Sequence, residues 1–533
     1  MTESALAGGE QQLRHLAEAG KNARHASRAA RVPTELRRRK GRLPGRLVIV
    51  SNRLPVALKK DDSGEWQSQP SPGGLVTALA PVLRDKGGVW IGWPGVTEAV
   101  DLGRPLSVAS KEVGYTLRAV PLTHREFNEY YCGFSNEILW PLFHDLQSRC
   151  NFDPAYWKAY RAVNLRFAQV VAENARPNDY IWVHDYHLLM VAKELRAMGL
   201  KNRVAFFLHT PFPALDICLK LPWRAQVLEG LLEYDLVGFQ TWRDRNNFIQ
   251  CVEALVRGLH VDARMRVSKV TTAGREVKVG SFPISIDFKE FARQGAEESL
   301  AREVRRLREA MNSSKIILGV DSLDYSKGIP QRLEAFENAL HRFPDLRGKI
   351  SLVEVVSPSR ADIPEYRRLK VEIERLVGEI NGKFTQPGWI PVHYIYRSLG
   401  RRELVVYYRA ADVALITPLK DGMNLIAKEY CASNVDADGV VILSEFAGAA
   451  SQLRRHALLV NPYDIESVAN AIYRACSMSK AERQLRMTRL RQSIATKDVF
   501  RWVDSFLGVA GAAEIGRLEP IRGPVGKRVV QPV

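Results

Sequence analysis

Cysteine is scarce in this chain, and its spacing suggests no chemistry. The six residues, Cys132, Cys150, Cys218, Cys251, Cys431 and Cys476, form no CxxC pair and have no histidine near them at metal-ligand spacing. Neither a zinc site nor a disulfide framework is therefore indicated, and buried free thiols are the expectation. Long apolar runs are missing too. None approaches the roughly eighteen residues a membrane span requires, and the N-terminus lacks the apolar stretch of a secretory signal, so a soluble cytoplasmic protein with no membrane partner is expected. No repeat of solenoid period is present. Acidic residues are outnumbered, 59 Asp and Glu against 77 Lys and Arg, which leaves a formal charge of +18.

That charge is uneven. Residues 1–46 hold eleven Lys or Arg and four Asp or Glu, a net +7, with the run Arg37, Arg38, Arg39, Lys40, Arg42. Such a segment can touch nucleic acid or an anionic membrane face, but a solvated arm is the simpler reading and nucleic acid is not expected as a partner. The remaining positive charge suits anionic small substrates. At 533 residues the chain is too long for one ordinary domain, so two are expected.

From Leu47 onward, short Val- and Ile-rich runs alternate with stretches of helical periodicity, the pattern of a parallel sheet covered by helices on both faces. Strands are expected at 47–51, 180–185, 204–209, 236–240, 315–321, 350–356, 413–417, 440–445 and 457–461. Many finish in a polar residue: Asp185, His209, Gln240, Asp321, Thr417, Glu445, Asn461. Ligands of open α/β sheets sit beyond the carboxyl ends of the strands, so these ends are where a site belongs. The segment Ser281 to Asp287 closes one strand-helix series and leads into a second. The expected organisation is a basic tail at 1–46, a first α/β domain at 47–285 and a second at 286–495. A C-terminal segment, 496–533, ends in a loose tail from Gly511.

Three segments carry possible chemistry. In Ser71 to Leu83, the pair Gly73 and Gly74 starts a helical face formed by Leu75, Val76, Leu79, Val82 and Leu83, where a phosphate can rest on free N–H groups; a plain turn before a helix is the simpler reading of the segment by itself. Ile316 to Gly328 is a buried-type strand running into a loop that holds Lys327 at a sheet's carboxyl edge, suited to neutralising a diphosphate or to being a surface lysine. Val413 to Glu429 is a strand, a loop and a helix starting near Met423, Asn424 and Leu425, whose backbone amides would face a ligand. Asp421 there can accept sugar hydroxyls and Glu429 a ribose diol, or Glu429 can be an ordinary helix residue.

The motifs Asp421-Gly-Met-Asn-Leu-Ile-Ala-Lys-Glu-Tyr430, Leu323-Asp-Tyr-Ser-Lys-Gly328 and Ser51-Asn-Arg-Leu-Pro55 together resemble the trehalose-6-phosphate synthase family. The likeness continues through Glu129-Tyr-Tyr-Cys-Gly-Phe-Ser-Asn136, Trp182-Val-His-Asp-Tyr-His187, Phe206-Phe-Leu-His-Thr-Pro-Phe212 and Leu443-Ser-Glu-Phe-Ala-Gly-Ala449, from about Leu47 to about Asp504. It implies two Rossmann-like doubly wound domains facing across a cleft, the GT-B type, with a C-terminal helix returning to the N-terminal domain. It also implies a retaining transferase that moves glucose from a nucleoside diphosphate glucose to glucose 6-phosphate with neither metal nor cofactor. Carried over by resemblance, Arg53, Trp93, Tyr131, Trp140, Asp185 and Arg360 fall in the acceptor pocket. Gly74, His209, Ser322, Lys327, Asp421, Met423, Asn424, Leu425 and Glu429 fall on the donor side, with Asp185, His209, Lys327 and Asp421 closest to the chemistry.

One departure bears on the donor. The family usually carries arginine at the position of Ser322, and Lys420 stands where another arginine is common. Sister readings therefore stay open: a glucosylglycerol-phosphate synthase, a pseudo-glycosyltransferase of the validoxylamine type, or a weakly active paralogue that regulates a partner. The donor base and a homo-oligomeric state are also open.

Overall fold

The computed structural model describes residues 45–511, apart from 61–65, 71–75, 77–78, 81–82, 85–87, 99–100, 264–266, 273, 312–314 and 361–362. The strands are β1 Leu47–Arg53, β2 Val56–Lys60, β3 Trp66–Pro70, β4 Gly88–Trp93, β5 Thr116–Ala119, β6 Tyr180–His184, β7 Arg203–Phe207, β8 Leu236–Phe239, β9 His260–Asp262, β10 Val267–Thr272 and β11 Arg275–Ser281 in the first half of the chain. In the second they are β12 Lys315–Ser322, β13 Ile350–Ser357, β14 Val392–Tyr396, β15 Val413–Ile416, β16 Val440–Ser444 and β17 Leu458–Val460.

They build two main sheets. The first runs β5-β4-β1-β6-β7-β8-β11-β10-β9 and the second β14-β13-β12-β15-β16-β17; a separate hairpin pairs β2 with β3. The second sheet is parallel throughout, and the first is parallel up to β11, where β10 and β9 turn antiparallel. Each sheet starts at an inner strand, winds one way, then returns and winds the other, so its strand order reverses beside β1 in one and β12 in the other. Those reversals open a crevice at the carboxyl ends of β1 and β6, and of β12 and β15.

The strands are continuous apolar runs because helices cover both faces: Val48, Val50, Ile181, Val183, Val204, Phe206 and Val237 are buried in one core, Ile317, Leu352, Val413 and Ile442 in the other. Every strand expected from the sequence is present to within two residues at each end. Most of the polar ends lie just past the last paired residue. Asp321 is the exception. It sits inside β12, where Arg332 donates to it at 2.8 Å and to Glu354 at 2.6 Å, all three side chains being buried, so it serves the sheet's interior and not a ligand.

The chain crosses between the sheets near 282–287 and comes back before the helix Val499–Gly511. There Phe506 stacks on Trp182 at 4.3 Å and Trp502 donates to the Phe282 carbonyl at 2.9 Å. Arg46, counted above with the tail, is part of the fold. Its guanidinium pairs with buried Asp179 at 2.7 Å, its N–H donates to the same carboxylate, and its carbonyl accepts from Tyr180.

Candidate active site

The carboxyl end of β1 presents Arg53, and that of the adjacent β4 presents Trp93, beneath which the chain cannot thicken: a Cβ on Gly92 would meet the Arg53 and Leu54 backbone at 2.8 Å. The Arg53 guanidinium lies over the Trp93 ring at 4.7 Å and toward Tyr131 at 5.6 Å, so two aromatic faces orient an otherwise exposed cation. Tyr131 comes from a wide helix, Phe127–Leu139, with i→i+5 hydrogen bonding, which ends where the Trp140 N–H donates to the Ser135 carbonyl. Such widening is rare and concentrates at functional sites. A short α-turn, Trp140–Phe143, follows directly and supplies Trp140.

Across the reversal point, Asp185 follows β6 at φ 74° and ψ 166°. That backbone region belongs almost to glycine alone and costs about 1–3 kcal/mol elsewhere, so the surrounding sheet must enforce it. The N–H of His209 donates to the Asp185 carboxylate at 3.2 Å. Burial nevertheless pushes this carboxyl up to about 6, with the N–H groups of Tyr186, His209 and Thr210 and the charge of Arg360 limiting the rise. His209 follows β7, its ring shared between His184 at 3.1 Å and Gln240 at 3.4 Å; burial takes it down to about 3, so it works as a neutral imidazole.

On the second sheet, Arg360 follows β13 with φ 46°. Its guanidinium lies 4.1 Å over the Trp140 ring, donates to Asp324 at 2.7 Å and reaches the Tyr186 hydroxyl at 3.4 Å. The arginine of the second half therefore meets the first half at Trp140 and Tyr186. His187 completes this wall, stacked on Tyr131 at 5.8 Å, and neither of its buried ring nitrogens has a hydrogen-bond partner among the described residues.

Ser322 ends β12 and is exposed. A turn, Tyr325–Lys327, then brings Lys327 to Asp421 at 2.7 Å, both side chains 14% exposed. Burial alone would lower the lysine's pKa; the carboxylates of Asp421, Asp321 and Asp324 outweigh it and hold it above the ordinary value. Burial likewise works against ionised Asp421, and Lys327 outweighs that, so the pair is an ammonium and a carboxylate.

The loop after β15 then turns into the helix Leu425–Ser433. Asn424, at φ 68°, caps it by accepting from the Ala427 N–H at 3.1 Å, and the Met423 N–H points to Asp421. Glu429, further along, accepts from the Tyr408 hydroxyl at 2.9 Å, and burial raises its pKa. This loop touches the first half through a glycine: a Cβ on Gly422 would stand 2.0 Å from the His209 carbonyl. Lys420 pairs with Asp145 across the same seam.

All the sequence-derived residues except Gly74, which lies outside the described residues, sit on or just past strand ends or on the helices and turns that follow them at the seam. Asp324, Tyr186 and Tyr366, each with a polar contact at this place, are not among the residues expected from the sequence, whereas Gln240, which is in contact with His209, is one of the polar strand ends. Asp324 and Tyr186 lie inside quoted motifs, and only the fold reveals what they touch. Among the described residues no group of three or more His, Cys, Asp or Glu could hold a metal ion, and no helix is long and apolar enough to cross a membrane.

Residues 45–510 match the description of glycosyltransferase family 20. The chain is 42% identical over 480 residues to trehalose-6-phosphate synthase of Mycolicibacterium vanbaalenii, covering 88% of this chain and 96% of that one. It is 43% identical over 473 residues to the trehalose-6-phosphate synthase of Mycobacterium leprae, at 87% and 94% coverage. Among solved structures, the Burkholderia xenovorans UDP-forming alpha,alpha-trehalose-phosphate synthase in complex with glucose-6-phosphate superposes with a TM-score of 0.79 at 36% identity, over 88% of this chain and all of that one. The E. coli protein bound with UDP-2-fluoro glucose also gives 0.79, at 38% identity over 88% and 99%.

Proposed function

The chain belongs to glycosyltransferase family 20, and on that premise we propose that it is a retaining glucosyltransferase, moving glucose from a nucleoside diphosphate glucose to glucose 6-phosphate to give trehalose 6-phosphate. The observation that carries the reading is the meeting of two unlike half-sites at one seam. Arg53, Tyr131 and Arg360 form an anion cradle lined by Trp93 and Trp140, while Lys327 and a helix N-terminus wait on the other side.

In this reading the region 47–285 holds the acceptor and 286–495 the donor. The arginines and Tyr131 clamp the acceptor phosphate through charge-assisted hydrogen bonds, which turns an encounter of two sugars into an oriented reaction. Asp185 takes the acceptor hydroxyl, and neutral His209 sits beside the transferred glucose. Lys327 and the N–H groups at Met423, Asn424 and Leu425 balance the charge that grows on the leaving diphosphate as the glycosidic bond breaks. Asp421 holds the donor's sugar hydroxyls and Glu429 its ribose diol, and Gly74 belongs to the donor side by the family resemblance.

No side chain need attack. The acceptor hydroxyl adds to the anomeric carbon on the face the diphosphate leaves, and its proton passes to that diphosphate. The reaction is proposed to need no metal or cofactor, since fixed cations occupy the place of one, and to run in the cytoplasm.

The experiment is a panel of uridine, adenosine and guanosine diphosphate glucose against glucose 6-phosphate, glycerol 3-phosphate and buffer alone, with a chelator present, reading nucleoside diphosphate release. Release that depends on glucose 6-phosphate supports the proposal. Release that depends on glycerol 3-phosphate instead would favour the sister transferase that Ser322 keeps in view.

A further inference from the structure

We propose that Asp324, which no role above uses, is the positioning residue of the acceptor-phosphate clamp, setting Arg360 and Trp140 from opposite sides of the seam; this rests on the acceptor reading just given. Asp324 is 2% exposed and fully engaged. Its Oδ1 accepts from the Ser326 N–H at 2.9 Å, the Ser326 hydroxyl at 2.7 Å and Trp140 Nε1 at 3.3 Å. Its Oδ2 accepts from Arg360 Nη1 at 2.7 Å and the Tyr366 hydroxyl at 3.0 Å.

A turn cap would explain the first oxygen alone. The second is spent outside the turn, on the arginine, and the indole reaches in from the other half of the chain. The result is a guanidinium pinned at one nitrogen by a carboxylate and at its face by the very indole that the same carboxylate holds. Burial opposes the charge on Asp324, but Arg360, Lys327 and the Ser326 N–H overcome it and keep its pKa below the ordinary value.

Arg360 needs such a guide. Its own backbone sits at φ 46°, and a long side chain left unpinned has many rotamers to lose on binding. Asp324 takes Nη1, while Nη2, which makes only a 3.4 Å contact to the Tyr186 hydroxyl, keeps a further N–H for a second anion. The carboxylate therefore aims the arginine and does not compete for it. Because Asp324 also caps the turn that delivers Lys327, one residue registers the acceptor clamp against the donor cation.

The test uses the full chain and the Asp324→Asn variant. Asparagine can keep the carbonyl that caps Ser326 while replacing the carboxylate oxygen that holds Arg360. The glucose 6-phosphate KM is expected to rise about tenfold, the loss of one charged hydrogen bond, with donor KM within about twofold of the parent. On an Arg360→Ala background the same substitution is expected to add less than about twofold, because the group it positions is gone.

Equal rises in both KM values, an acceptor KM at or below the parent's, or multiplicative effects in the double variant would each overturn the proposal. Should Asp324→Asn fail to fold, Trp140→Phe, which removes the indole N–H and keeps a ring, is expected to raise acceptor KM with donor KM unchanged; an unchanged acceptor KM there overturns it. Calorimetry with glucose 6-phosphate separates the two levels. A parent that neither binds nor turns it over sinks the acceptor reading and this proposal together, whereas an active parent with a parent-like variant sinks this proposal alone.

Discussion

At residue 185 a carboxylate is held on a glycine-like backbone and buried until its pKa reaches about 6. Both features oppose stability, and they fall on the group proposed to hold the acceptor hydroxyl. The pH dependence follows from the direction of the shift. A carboxyl raised from 3.8 to about 6 binds its proton more tightly in the folded than in the unfolded chain, so its contribution to stability is present below about pH 4 and lost as pH rises through about 6. Asp185→Asn removes that titration. The stability of the variant relative to the parent is expected to climb between pH 4 and 6 by up to about 3 kcal/mol and then level off, as read by denaturant melts across that range. A difference that stays flat with pH would mean the carboxyl titrates at its ordinary value.

Arg360 and Lys327 make opposite kinetic predictions. Arg360→Ala should raise the KM for glucose 6-phosphate about ten- to hundredfold, in line with about 1.5–3 kcal/mol for a charged hydrogen bond, and unchanged acceptor kinetics would remove it from the pocket. Lys327→Ala should lower kcat as well as donor affinity, because the diphosphate charge it meets is greatest as the bond breaks. Ser322 is exposed at the end of β12, where a guanidinium has room. Ser322→Arg should tighten donor binding about tenfold for the preferred nucleotide, measured by titration with the three nucleotide glucoses. No gain with any of them, beside good parent turnover, would show that the diphosphate is held elsewhere.

Among elements, those that place the site were the most legible. β1, β6, β7, β12 and β15 are unbroken apolar runs because they are buried on both faces, and each announces its end with a polar residue or a motif. The elements that escaped reading lack that contrast. β4 is Gly88-Val-Trp-Ile-Gly-Trp93, bracketed by glycine, and β10 is Val267-Ser-Lys-Val-Thr-Thr272, alternating because one face is open. The i→i+5 helix at Phe127–Leu139 could not be foreseen from periodicity, since its repeat is neither that of a strand nor that of an ordinary helix. Asp324 was invisible for another reason: its partner Arg360 arrives from the neighbouring strand β13 and its partner Trp140 from the other half of the chain, so the three converge only in the fold. At the chain's entry into the first sheet, Arg46→Ala should cost about 1–3 kcal/mol in a denaturant melt, because it strips a charged partner from an Asp179 side chain only 2% exposed. A stability equal to the parent's would return residue 46 to the tail.

For the molecule as a whole, the architecture brings two reversal points together, and the chemistry depends on that meeting more than on any one residue. Of the five non-glycine residues with positive φ among those described, Asp185, Arg360 and Asn424 are proposed site residues, and a fourth, Asp145, takes the ion pair from Lys420 across the seam. Local strain thus gathers where the halves meet. The overall charge of +18 suits two phosphorylated substrates but does not choose between them. The most direct test is therefore of the product itself: proton NMR of the full chain turning over a nucleoside diphosphate glucose with glucose 6-phosphate. The account predicts a 1,1-linked disaccharide phosphate with both anomeric centres α, formed in step with nucleoside diphosphate. A β linkage from the donor carbon, or no disaccharide with any of the three nucleotides, would contradict it.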